Sequence, residues 1–149
     1  MSADQLDQHF IFNALNTITN VVEKDPAFGK ELLLDFSDYL RGTFCQIRGQ
    51  EFTTLEREME MISGYLSLQR ARFPDRLEFS ITVSEHGKCR IPSGSIFERV
   101  EKRVKGALKE KNGRIDFSLG ISVDSVRVGV ELGENGEDYC WEIMIFQEI

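Results

Sequence analysis

The first half of the chain carries apolar residues at intervals of three and four positions, a pattern that predicts amphipathic helices. We place three helices at residues 4–24, 27–47 and 53–72. Thr53 and Glu56 form a candidate capping box at the start of the third helix. The apolar stripes of the first two helices consist of Ile11, Leu15, Ile18 and Val22, and of Leu33, Phe36, Leu40 and Phe44. Consecutive helices with such stripes predict a helical hairpin.

Beyond residue 75 the apolar period changes from about 3.6 to 2, which is typical of half-buried strands. The four alternating runs begin at Leu77, Ile115, Val126 and Tyr139. A further helix is predicted from about residue 96 to 111, with Ser95 and Glu98 as a second capping box. Turns are predicted at residues 85–88 and at residues 133–136, where polar residues and glycines interrupt the pattern.

The change of period divides the chain into a helical region, residues 1–75, and a second region, residues 76–149. We therefore predict an α+β fold. An N-terminal helical hairpin precedes a small, shortened α/β sandwich, in which one helix covers an antiparallel or mixed sheet.

Charge and composition exclude several classes of function. A net charge of −7 argues against a general nucleic-acid binder, since phosphate contacts need clustered lysine and arginine. No apolar run approaches the roughly 20 residues of a membrane span, and no signal peptide is visible. Cys45, Cys89 and Cys140 lack the spacing of a zinc site or a disulfide framework. We expect reduced, mostly buried thiols in a cytoplasmic protein, and we predict no metal-ligating cluster.

The candidate chemistry of the first helix lies on a polar stripe beside the apolar one. His9, Asn13, Asn16 and Asn20 are spaced as neighbours on one face. A neutral imidazole can accept a phosphoryl group, and an amide one turn away can position the phosphate. Asparagine is otherwise a poor residue in the middle of a helix. The alternative is a solvated amphipathic helix with an incidental histidine.

The segment Gln8–Asn16, together with Thr54–Glu58 and Tyr65–Phe73, resembles the phosphoacceptor region of the LytS/YehU-type sensor histidine kinases. These kinases have the core Pro-His-Phe-Leu-Phe-Asn-x-Leu-Asn, and the chain departs from it at Gln8 and Ile11. The resemblance covers roughly residues 6–77. It implies that His9 is the phosphoacceptor with Asn13 beside it, that a response regulator is the partner, and that the N-terminal helices form a homodimer.

The resemblance also implies a Bergerat-type ATPase module that uses ATP and Mg²⁺, and here the chain departs further. Glu101 and Lys105 match the family motif Glu-Asn-Ala-x-Lys-His-Gly, but Lys102 replaces the asparagine that holds Mg²⁺. An ammonium group cannot be a ligand of Mg²⁺, which needs oxygen donors. Asn135 and Gly136 are what remains of the motif Asp-x-Gly-x-Gly, with Glu134 in place of its aspartate.

These departures predict a degenerate ATP site with impaired binding. The lysines and arginines of the same helix are interpreted as a solvated basic face.

The sequence therefore predicts the cytoplasmic part of a two-component sensor histidine kinase, phosphorylated on His9 and relaying phosphate to a response regulator. Any membrane anchor would come only from segments outside this chain. Two alternatives stay open: a phosphotransferase that does not use ATP, and a non-catalytic pseudokinase that acts as a dimerisation scaffold. Loss of acid-labile phosphate in His9→Ala, with the dimer intact, would separate the first of these from the second.

Overall fold

The computed structural model describes residues 7–84 and 89–146, and within these ranges it has four α-helices and six β-strands. The helices are α1 (Gln8–Lys24), α2 (Pro26–Ile47), α3 (Leu55–Arg72) and α4 (Phe97–Glu110). The strands are β1 (Phe52–Thr54), β2 (Leu77–Val83), β3 (Arg90–Pro92), β4 (Ile115–Val123), β5 (Arg127–Glu134) and β6 (Glu137–Met144). The predicted α+β class is confirmed, whereas the start of the first predicted helix and the turn at 85–88 lie outside the described residues.

The break between α1 and α2 is at Asp25, as the sequence predicts. The backbone amide of Asp25 donates to the Val21 carbonyl, and its side chain accepts a hydrogen bond from the Phe28 amide at 3.1 Å. Pro26 occupies the first turn of α2, where its missing N–H costs no hydrogen bond. One aspartate therefore ends the first helix and caps the second.

The predicted capping box of α3 is wrong by one residue. Thr54, not Thr53, is the N-cap, and its hydroxyl accepts from the Arg57 amide at 3.2 Å. Thr53 instead belongs to β1, which pairs with β3 in a small antiparallel sheet and places Thr53 opposite Ile91. The strand pairing decides which of two adjacent threonines reaches the helix terminus.

The predicted apolar stripes of α1 and α2 are also partly wrong. The buried residues are Phe10, Ala14 and Ile18 on α1, and Gly29, Leu32, Phe36, Tyr39, Thr43 and Gln46 on α2. Leu33 is 53% exposed, and Phe44, Leu15 and Val22 are also exposed. Both helices have apolar residues on two neighbouring rows. Packing among α1, α2 and α3 buries Ile18 and Phe36 of the predicted stripes, together with residues that the sequence pattern did not favour.

Helices α1, α2 and α3 pack against one another and form a closely packed helical layer. A Cβ added at Gly64 of α3 would lie 2.5 Å from the backbone oxygen of Asp35 on α2. Only a glycine lets the two backbones approach so closely.

The larger sheet has the strand order β2-β4-β5-β6, with β2 parallel to β4 and the other pairs antiparallel. It is therefore the mixed form of the predicted sheet. The four alternating runs are confirmed as strands, and their apolar sides form the buried face of the sheet. Asn135 and Gly136 have φ angles of 50° and 90° and form the tight turn between β5 and β6.

Four aromatic rings join the helices of both halves into one core. Phe10 lies 4.7 Å from Tyr39 and 5.0 Å from Tyr65, centroid to centroid, and Tyr65 meets Phe97 of α4 edge-on at 5.3 Å. All four rings are buried. The start of α1 is thus packed into the same cluster as the start of α4, while the division of the chain at residue 75 stays a prediction.

The expectation of mostly buried cysteines is wrong. Cys45 and Cys89 are half-buried, and Cys140 is exposed. Cys140 alternates with the inward-facing residues of β6 and therefore lies on the outer face of the sheet.

Candidate functional site

His9 lies in the first turn of α1 with its side chain exposed to solvent. The residues on either side of it are fixed. Asp7 caps the helix by accepting a hydrogen bond from the Phe10 amide at 3.0 Å, and the Phe10 ring is buried in the aromatic cluster. The fold therefore presents an accessible imidazole on a turn that is held from both sides.

The predicted polar stripe of α1 stays at the surface. Asn13 is half-buried, and Asn16 and Asn20 are exposed. The Thr17 hydroxyl donates to the Asn13 carbonyl at 2.8 Å and leaves the side-chain amide of Asn13 one turn from His9. This arrangement fits the positioning role that the sequence suggests for Asn13.

Helix α4 reaches this turn through Lys105. The Lys105 ammonium lies 2.6 Å from a carboxylate oxygen of Asp7 and 3.8 Å from one of Glu101. Burial raises the pKa of Asp7, but the hydrogen bonds from Lys105 and from the Phe10 amide outweigh it, so the net pKa is lowered. Burial also raises the pKa of Glu101, with Lys105 acting in the opposite direction. Two residues predicted for the ATP site, Glu101 and Lys105, thus lie beside the His9 turn.

The other two predicted ATP-site residues have different neighbours. The side-chain oxygen of Asn135 accepts from the Asp116 backbone amide at 2.8 Å, and the backbone amide of Asn135 donates to the Asp116 carbonyl at 3.0 Å. Gly136 provides the left-handed conformation of the same turn. Within residues 7–84 and 89–146, no hydrogen bond or ion pair that we observe joins this turn to Glu101 or Lys105.

Glu134 lies at the end of β5 with its side chain fully buried against two cations, Arg103 of α4 and Lys111 at the C-cap of that helix. It accepts hydrogen bonds from Arg103 at 2.8 Å and from Lys111 at 2.6 Å, one on each oxygen. Arg103 also donates to the Tyr139 hydroxyl at 3.1 Å. Burial raises the pKa of Glu134, but the hydrogen bonds and charges of Lys111 and Arg103 lower it by more. The pKa of Glu134 is therefore lowered overall.

The expectation of a solvated basic face on α4 is therefore wrong for Arg103 and Lys111. The inward alternation of Val130, Leu132 and Glu134 along β5 is the signal that could have placed a carboxylate there.

Glu58 of α3 is a second buried carboxylate that sequence reasoning missed. It is 2% exposed and accepts hydrogen bonds from the backbone amides of Gly94, Ile96 and Phe97, each at 3.0 Å. The predicted capping box of Ser95 and Glu98 does not form, since the Ser95 hydroxyl donates to the Pro92 carbonyl. Glu58 lies three residues after Leu55 and four before Ile62, on the buried face of its helix, and this spacing could have revealed it.

The chain matches the histidine kinase family over residues 1–77 of its 149 residues, a match that includes His9 and the whole helical layer. It therefore belongs to the histidine kinase family.

Within that family it is similar to sensor proteins named LytS. It is 32% identical to the sensor protein LytS of Enterococcus faecalis over 136 residues, and 32% identical to LytS of Staphylococcus epidermidis over 138 residues. It is 26% identical to the sensor histidine kinase YpdA of Escherichia coli over 132 residues. These alignments cover 89% of this chain but only 22–23% of each relative, so the chain spans less than a quarter of their length.

None of the helices in the described part of the chain is long and apolar enough to cross a bilayer.

Proposed function

We propose that this chain is the signalling part of a two-component sensor histidine kinase, in which His9 accepts a phosphoryl group and exchanges it with an aspartate of a response regulator. The observation that supports this most directly is an exposed imidazole on a turn whose neighbours, Asp7 and Phe10, are held in place. A fixed but accessible nucleophile is what phosphotransfer between two proteins requires.

The transfer that we propose is a direct exchange. A neutral ring nitrogen of His9 attacks the phosphorus of the regulator's aspartyl phosphate, an N–P bond forms, and the P–O bond to the aspartate carboxylate breaks. The reverse step returns the phosphoryl group to the regulator. Asn13, one turn along α1, would hydrogen-bond the phosphate oxygens, and Lys105 would supply positive charge close to the turn.

We infer that Mg-ATP does not fit the second region well. Both carboxylate oxygens of Glu134, which replaces the aspartate of the family motif, accept hydrogen bonds from Arg103 and Lys111. They are therefore not open to a nucleotide base. Lys102 places an ammonium where the family has its metal-binding asparagine, and like charge repels Mg²⁺. We therefore favour a phosphotransferase with an impaired nucleotide site.

The test is acid-labile phosphate on the purified chain, incubated separately with Mg-ATP and with a phosphorylated response regulator. His9→Ala should abolish labelling, whereas the matched variant His86→Ala should keep it. We expect the phosphorylated regulator to label the chain and Mg-ATP not to label it. Labelling from Mg-ATP that needs His9 would show that the nucleotide site works and would overturn our inference about ATP. No labelling from a panel of regulators would overturn the phosphotransfer itself.

A second candidate is a dimerisation scaffold, and the exposed apolar surface of the first two helices favours it. Phe12 is 65% exposed, and other large apolar residues there are exposed as well: Leu15, Val22, Phe28, Leu33, Leu34 and Phe44. An apolar surface of this kind on a helical hairpin fits a second copy of the chain in a four-helix bundle. This scaffold needs no reactive histidine. A dimer that persists in His9→Ala, together with no acid-labile phosphate on the native chain, would favour it.

A further inference from the structure

Helix α4 begins without a cap of its own. The residue at its N-cap position is Ile96, which is fully buried and whose side chain can accept no hydrogen bond. The first amides of any α-helix have no partner within the helix, and leaving them unpaired in a buried position is costly. The start of α4 therefore depends on an acceptor from elsewhere in the fold.

Glu58 supplies that acceptor from α3. One carboxylate oxygen accepts from the Gly94 amide, and the other accepts from the amides of Ile96 and Phe97, all at 3.0 Å. A carboxylate at a helix N-terminus is also stabilised by the helix dipole. Gly94 has a φ of +81°, a left-handed conformation that favours glycine at this point of the loop. One side chain thus fastens the loop and the first turn of α4 to the helical layer.

The position of the first turn of α4 determines which residues the rest of that helix contacts. Phe97, Glu101 and Lys105 follow at intervals of four residues and share one face of the helix. Phe97 packs edge-on against Tyr65, which also packs against Phe10, and Lys105 pairs with Asp7 at 2.6 Å. His9 lies between Asp7 and Phe10 in the chain. The α4 face therefore contacts the first turn of α1 directly through Lys105 and Asp7, and reaches Phe10 indirectly through the Tyr65 ring of α3.

We propose that Glu58 is a positioning residue for His9, acting through α4. By holding the first turn of α4 against α3, it sets where Phe97 and Lys105 lie relative to the His9 turn. The importance of His9 rests on the proposed function, but the positioning itself does not, and it can be measured without any phosphate donor.

The test is hydrogen–deuterium exchange of the full chain, followed in peptides that cover residues 94–97 and 8–12. Glu58→Gln keeps the size of the side chain but loses the charge, and its amide group would place N–H donors against N–H donors. We expect exchange at 94–97 to become about tenfold faster or more, and exchange at 8–12 to rise with it. The matched control is Glu60→Gln, an exposed glutamate on the same helix, which should leave both peptides unchanged.

A second comparison separates positioning from general destabilisation. In the native background, Lys105→Gln should speed exchange at 8–12, because it removes the pairing with Asp7. In the Glu58→Gln background the same substitution should add little, because α4 no longer holds Lys105 in place. Additive effects would overturn the proposal, as would faster exchange confined to residues 94–97 or no change there at all.

If circular dichroism shows that Glu58→Gln is unfolded, Glu58→Asp replaces it and is judged by the same outcomes. The shorter side chain keeps the charge but moves the carboxylate away from its three donors. Failure of phosphate labelling would leave these exchange results unaffected, so the two proposals can fail separately.

Discussion

The Glu134 carboxylate and the Lys111 ammonium lie 2.6 Å apart, where the end of β5 faces the end of α4. The carboxylate is fully buried, whereas the lysine is partly exposed, and Arg103 completes the neutralisation from the other side. The end of β5 thus contains an internal ion cluster. It ties the helix to the sheet.

Glu134→Gln should destabilise the fold by about 1–3 kcal/mol, the range for loss of charged hydrogen bonds that are partly screened by solvent. Urea unfolding at pH 7 measures this, with the exposed Glu131→Gln on the same strand as the matched control. The pKa of Glu134 is lowered in the fold, so its stabilisation is present above the unfolded value near 4.5 and is lost as pH falls. The difference between wild type and variant should therefore shrink below that pH. An equal loss in Glu131→Gln would contradict this account.

Asp35 should make the protein less stable as pH rises. Burial raises its pKa from 3.8 to about 6, its neighbours Asp38 and Glu31 on α2 add to the shift, and Arg70 on α3 opposes it. A raised pKa in the folded state means that stability is highest below the unfolded value and falls as pH rises through about 6. Asp35→Asn should therefore stabilise the chain at pH 7.5 by roughly 1 kcal/mol, a figure reduced for partial solvent screening.

Thermal unfolding at pH 7.5 and at pH 4 provides the comparison for Asp35. The gain should be much smaller at pH 4, where the carboxyl is protonated in the folded chain and partly protonated in the unfolded chain. A gain of equal size at both values would point to a cause other than titration. Asp138→Asn, at an exposed aspartate of β6 that does not contribute to the pKa shift of Asp35, serves as the control.

Thr54→Ala should cost about 1 kcal/mol of stability, because it removes the side-chain acceptor for the Arg57 amide at the start of α3. Thr53→Ala is a close control, since Thr53 lies one residue away in β1 and does not cap the helix. Chemical denaturation of the two variants measures the difference. A larger loss in Thr53→Ala would restore the capping box that the sequence pattern predicted.

Phe12→Asp should weaken a dimer formed through the N-terminal helices, because it places a charge on the most exposed large apolar side chain of the described residues. Sedimentation velocity over a range of concentrations would show the shift from dimer to monomer. Val126→Asp changes an exposed apolar residue beside β5, remote in sequence from the hairpin, and should leave the association state unchanged. A wild-type chain that is monomeric at all concentrations would overturn the dimer proposal.

Much of the fold could be predicted from local sequence. The ends of α1 and α2 and the four alternating strands follow from hydrogen bonds and side-chain periods that operate within a few residues. The turn at Asn135-Gly136 also has a local cause, since both residues tolerate positive φ. The candidate role of His9 also comes from a motif on one helix, and it stays a prediction.

The tertiary structure decided how these elements contact one another. It buried Leu32 instead of Leu33, because α3 packs against one of two apolar rows that the sequence alone cannot rank. It brought Glu58 to amides 36–39 residues away, and Glu134 to cations 23 and 31 residues away. The energy of a buried carboxylate depends on partners that only the folded chain supplies, so its role cannot be read from the neighbouring sequence.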